Sequence, residues 1–148
     1  MLFKVLIPCL LVMACARPQY FQGGAPHGVK STSGLKCAAT FAKSGHCVDW
    51  YWEVEPTASL EGSLVFKVFR PNLLDQSPVL QDLNETAHVE LWMPDMGHGS
   101  TESSTERVDQ GTYRAKEVFF VMPGLWEIRF QSRQGETTVD QAIVRVEI

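Results

Sequence analysis

The sequence predicts an all-β domain, an immunoglobulin-like β-sandwich of about seven antiparallel strands, behind an export signal and a flexible tether. Three observations predict it. Short runs alternate apolar and polar residues with the period of a strand, as in Val48, Trp50, Trp52 and Val54 against Asp49, Tyr51, Glu53 and Glu55. Proline and glycine punctuate those runs at Pro56, Pro71, Pro94, Pro123-Gly124 and Gly135. No amphipathic pattern with a helical period and useful length occurs between residues 37 and 148.

In chain order, residues 1–14 read as a bacterial export signal. Lys4 supplies the charge and Val5 to Ala14 the apolar run, which is too short to span a bilayer. The run ends in Val12-Met13-Ala14-Cys15, which resembles a lipobox. That resemblance implies cleavage before Cys15, lipidation of its thiol and attachment to a membrane, with Ala16 after the cysteine favouring the periplasmic side of the outer membrane. An ordinary signal peptide cut near Ala16 is the rival reading. Residues 15–36 carry Gly23-Gly24, Pro18 and Pro26 without periodicity, as expected of a tether. A lone histidine there, His27, needs no function.

Residues 37–148 are long enough for one domain with a real core. The net charge of −4, with signs interspersed, offers no basic face for nucleic acid. Of the four cysteines, Cys9 leaves with the signal and Cys15 takes the lipid. Cys37 and Cys47 are then an even pair in an oxidising compartment, and a disulfide is the expected outcome. A thiolate metal site with His46 is the alternative. A redox role would ordinarily use a shorter Cys-x-x-Cys spacing.

Within the domain, Val48 to Glu55 is the first strand. Leu64 to Arg70 is apolar on both faces and so is predicted to be central. Asn72 to Thr86 reads as a polar insertion. Ala87, Val89, Leu91 and Met93 form the inward face of the next strand, which Pro94 ends because it has no N–H to donate. Ser100 to Glu106 is expected to be a mobile polar loop, and Arg107 to Asp109 a short strand. Tyr113 to Val121 is a strand ending at Met122-Pro123-Gly124. Leu125 to Gln131 places Trp126, Ile128 and Phe130 on one face. Thr138 to Ile148, with Ala142, Val144, Val146 and Ile148 in register, closes the domain.

The stretch that suggests chemistry is Met93-Pro94-Asp95-Met96-Gly97-His98-Gly99. With Met122, it places every methionine of the processed chain at two strand ends, each followed at once or nearly so by proline. Thioethers are soft, uncharged donors that favour Cu(I), and imidazole serves Cu(I) and Cu(II) alike. Met93, Met96, His98 and Met122 are therefore the candidate metal ligands, and copper the candidate cofactor. The competing interpretation makes Met93 core, Met96 and His98 parts of a turn permitted by glycine, and Met122 a cap on the core. His46, His88, Trp92 and Trp126 are read as surface or packing residues.

The blocks Met93 to Gly99, Gly111-Thr112-Tyr113-Arg114-Ala115 and Phe120 to Ile128 resemble the YtkA-like domain, related to the FixH group. The resemblance spans roughly Val48 to Ile148 and implies a small exported β-sandwich. For FixH-type proteins it further implies an association with cytochrome oxidase and copper delivery. This chain departs from FixH in lacking its membrane helix and in adding the Cys37–Cys47 segment.

No Gly-x-Ser-x-Gly elbow, His-Glu-x-x-His or phosphate loop is present, so an enzyme is not expected. The reading is a lipid-anchored envelope protein that binds copper and hands it to a receiving protein. A structural or protein-interaction module without metal is the second reading.

Overall fold

The computed structural model describes residues 34–57 and 59–148. The signal, Cys15, His27 and nearly all of the tether lie outside the described residues. Among the described residues ten strands occur: β1 (Ala39–Thr40), β2 (Cys47–Val54), β3 (Gly62–Pro71), β4 (Pro78–Leu80), β5 (Thr86–Met93), β6 (His98–Gly99), β7 (Ser104–Asp109), β8 (Thr112–Val118), β9 (Leu125–Gln134) and β10 (Thr137–Glu147). Seven are long, matching the number the alternation predicts, and three are pairings of two or three residues. One sheet runs β1-β2-β3-β8-β7 with β4 added to β3; the other runs β10-β9-β5-β6. All pairings are antiparallel, and the two sheets form a β-sandwich. Among the described residues no helix is long and apolar enough to cross a membrane.

The doubly apolar β3 is central, flanked by β2 and β8. Its Leu64, Phe66 and Val68 face Val89, Ile128, Phe130 and Trp126 of the other sheet, all buried. Phe66 anchors this core, with its ring centroid 5.1 Å from Tyr113 and 4.9 Å from Phe130. Offset aromatic pairs at such distances add stability beyond the area they bury.

Several boundaries differ from expectation. Val54 continues the apolar face of β2 yet is exposed, because the register slips between Trp52 and Val54. The Asn72–Thr86 insertion contains β4, which pairs back onto the end of β3. The strand predicted to reach Val121 stops at Val118, where Glu117 adopts a positive φ. The loop after Gly99 is tied down. Ser103 is buried and its hydroxyl donates to the Val89 carbonyl, while the Ser100 hydroxyl donates to Phe119. These serines satisfy carbonyls of β5 and of the β8–β9 connection, which an apolar loop would leave orphaned.

The register fixes two poles. At one lie the start of β2, the end of β3, β4 and the β7–β8 turn; at the other lie the end of β5, β6 and the start of β9. At the first pole Cys37 and Cys47 are disulfide-bonded. The bond clamps the hairpin whose buried Phe41 plugs this end of the core. His46, the alternative metal partner, instead bridges Ser44 Oγ and Gln81 Oε1 at 2.9 and 2.8 Å. On the chain-entropy model, closing so short a loop contributes about 3 kcal/mol. Cys37→Ser/Cys47→Ser is therefore expected to lower Tm by about 10 °C, measured by thermal unfolding, with no further loss on adding reductant.

The same pole is braced by Asp82. Arg107 donates to both its oxygens at 2.9 Å, Gly111 N–H donates at 2.8 Å, and the Tyr113 hydroxyl donates to it while accepting Leu83 N–H at 2.8 Å. Gly111 is required there: its φ is +56°, and an added Cβ would lie 2.7 Å from the Val68 carbonyl oxygen. The Arg107 hydrogen bonds, helped by the Gly111 amide, hold the Asp82 carboxyl at about 2. Its folded pKa lies below the unfolded value, so its contribution to stability is present above the unfolded pKa and is lost as pH falls through the folded one. Arg107→Ala is expected to shrink the stability lost between about pH 6 and about pH 2, measured by denaturant unfolding at the two pH values. An undiminished loss would contradict the pairing.

Candidate metal centre

The second pole gathers both methionine-proline segments. Along β5 the inward alternation carries Ala87, Val89, Leu91 and Met93 into the core, and Met93 is only 6% exposed. Pro94 then ends the ladder. The turn through Gly97, whose φ is +67° and whose N–H donates to the Met93 carbonyl at 2.9 Å, sends the chain back as β6. Met93 and His98 become cross-strand partners. Such partners share one face of the sheet with their Cβ atoms close together. Met96, at the head of this turn, is 60% exposed.

The other segment comes from the β8–β9 connection. Gly124 exchanges two backbone hydrogen bonds with Ile148, at 2.9 and 3.0 Å, which fixes the turn after Pro123. Trp126, fully buried, donates its indole N–H to the Met122 carbonyl at 3.0 Å. Met122 itself is 37% exposed.

Two contacts join the segments. A Cβ on Gly124 would lie 2.5 Å from the Met93 methyl carbon, so the Met93 side chain ends against the backbone of the Met122-Pro123-Gly124 turn. The His98 ring stands edge-on to Trp126 at 6.3 Å between centroids. The four residues singled out by sequence are thus brought to one rim, in unequal positions. Met93 is core, His98 is partly buried, and Met96 and Met122 are exposed.

The histidine is held in a form suited to binding. Nδ1 lies 3.1 Å from the Gly99 carbonyl oxygen, which can only accept, so Nδ1 is the donor of this contact and Nε2 is the ring nitrogen left outside it. A backbone carbonyl on the second ring nitrogen is the usual arrangement behind a metal-ligating imidazole. Among the described residues no three His, Cys, Asp or Glu side chains cluster as metal ligands. The donors of this rim are therefore mainly thioethers, a set that fits a soft ion such as Cu(I) and suits hard cations poorly.

The other histidines and tryptophans take packing roles. His88 lies half-buried on the outer face of β5, and burial, with the Arg133 charge, pushes its pKa down. Trp92 lies under the Arg129 guanidinium, 4.7 Å from the ring centroid. Trp126 is the residue whose importance sequence reasoning understated. Its place two residues after Pro-Gly was visible, but its link to both Met122 and His98 was not.

Residues 75–131 match the family model described as YtkA-like. The matched span runs from just before β4 into β9 and contains both methionine-proline segments, which agrees with the resemblance carried by their motifs. No curated protein and no solved structure matches the chain.

Proposed function

We propose that this YtkA-like domain is a lipid-anchored envelope protein that binds copper at the β5–β9 rim and passes it to a receiving protein. The donors are Met96, Met122 and Nε2 of His98. Met93 packs beneath them as the positioning residue that joins the two loops. The observation that carries this reading is the convergence at one pole of both methionine-proline segments, with two of the three thioether side chains open to solvent. Exposed methionine is not needed for stability, since each such side chain leaves apolar surface in water.

The two thioethers need no deprotonation to bind, so their part of the affinity would not depend on pH. Partial exposure of the ligands suits transfer, because an incoming protein can displace one thioether at a time. Attachment through Cys15 would keep the domain at the periplasmic side of the outer membrane.

The test is an anaerobic titration of residues 17–148 with Cu(I) against a competing chelator. One equivalent bound tightly enough to compete is the expected result. No competition at any chelator ratio would contradict the reading and favour a metal-free interaction module.

A further inference from the structure

We infer that the tip of the β3–β4 hairpin, Leu73-Leu74, is a lipid-seating element that rests the domain on a phospholipid surface and turns the Met/His rim away from it. The inference rests on the anchored-envelope part of the reading above and is independent of copper.

The two leucines are adjacent and almost wholly in water, at 92% and 95% exposure. They are held there by a braced loop. Asn72 N–H donates to the Ser77 carbonyl at 2.7 Å and Gln76 N–H to the Asn72 carbonyl at 2.9 Å. Leu74 N–H donates to Asn72 Oδ1 at 2.9 Å, and Asp75 Oδ1 accepts from the Ser77 amide and hydroxyl at 3.0 and 2.6 Å. Polar groups of Asn72, Asp75 and Ser77 thus bond to one another and brace the loop, while the two leucines at its start find no partner surface in the domain. Exposed apolar surface of this kind is favourable only where something removes it from water.

Position identifies the occupant. Phe69 of β3 pairs with Cys47, which is bonded to Cys37, and Arg70 donates to the Ser44 carbonyl at 2.5 Å. The leucine tip therefore projects from the same pole at which residues 15–36 enter the domain. Cys15 lies only 22 positions before Cys37 in the sequence, so a lipid on it would keep this pole close to the bilayer. Two leucines alone would bind a membrane marginally. Added to a covalent anchor they act at high effective concentration, which is where a weak second signal becomes useful. The Met/His rim lies at the other end of β5, whose eight residues span about 25 Å.

The experiment couples the Cys15 thiol of the chain from residue 15 onward to a maleimide-headgroup lipid in vesicles whose acyl chains are brominated. Cys37 and Cys47 are bonded to each other and do not compete. The emission added by Leu74→Trp is expected to shift to the blue and lose about half its intensity to the bromines, as for a side chain at the headgroup–acyl boundary. Val54→Trp, at the opposite pole, is expected to add unquenched emission. An unquenched Leu74→Trp, or one that responds to protein density and not to bromine, overturns the inference; the latter result would mean that tips of two copies pair. Because the tether is imposed chemically, failure here is distinct from failure of the anchor reading, which is read separately from the mass of the Cys15 peptide isolated from cells.

Discussion

Met96→Leu/His98→Ala is expected to weaken Cu(I) binding by more than about a hundredfold, since the loss of a single group behind a ligand already costs about ten- to a hundredfold. Both residues stand on β6 and the turn before it, outside the main ladders. Leucine keeps the apolar bulk of Met96 in a position that is largely exposed, so the fold should not register the change. His98→Ala removes an edge-on contact with Trp126, worth about 1 kcal/mol. Competition titration and thermal unfolding of the same sample separate the two effects. A large loss of affinity with a small loss of stability is the signature of ligands. If affinity is unchanged, Met96 and His98 merely build a turn.

Trp126→Ala is expected to cost about 3–5 kcal/mol, the largest effect of any single substitution considered. Trp126 has no exposed surface, meets Phe120 edge-on at 5.4 Å, and belongs to the cluster that joins both sheets. Against a typical domain stability of about 5–15 kcal/mol, that loss removes much of the margin. Trp126→Phe is the more informative change. It retains most of the ring but deletes the indole N–H, leaving the Met122 carbonyl without its donor, at about 1–3 kcal/mol. The fold should survive, measured by denaturant unfolding, while copper affinity falls because the Met122 segment is no longer tied to the rim. Equal affinity in Trp126→Phe and the unsubstituted protein would mean that Met122 needs no such support.

The strands were legible wherever the alternation met a buried face. Ala87, Val89, Leu91 and Met93, and again Trp126, Ile128 and Phe130, are buried as their period requires. Period two assigns a residue to a face but carries no information on where along the strand the opposite sheet ends. Nor does it record a register slip such as the one between Trp52 and Val54, which leaves Val54 exposed although it continues the apolar face. β4 and β6 are too short to show any period, and Glu117 ends β8 through a backbone conformation that glutamate does not advertise. Ser100 and Ser103 looked like loop because their role, bonding the free carbonyls of β5 and the β8–β9 connection, exists only once those strands are in place.

At the site, residue chemistry was legible and geometry was not. The Met-x-x-Met-x-His spacing and the second Met-Pro pair named the candidate donors. Their unequal burial, with Met93 below and Met96 and Met122 above, follows from strand phase at Met93 and from turns at the other two. The contact of the Met93 methyl with Gly124 lies between segments thirty residues apart, beyond any local pattern. The disulfide was the easiest inference, because Cys37 and Cys47 are an even pair within the domain and each has the other as its one partner there.

Residues 15–148 contain three methionines, Met93, Met96 and Met122, so the 13C-methyl methionine spectrum of a chain of those residues has three signals and each can be assigned by substitution. The measurement that tests the copper site most directly is that spectrum, recorded with and without one equivalent of diamagnetic Cu(I). The account predicts that the Met96 and Met122 methyls shift strongly and saturate together at one equivalent, while Met93, packed against Gly124, moves little. Signals that stay in place, or a single methyl shifting alone, would contradict a site shared by the two loops.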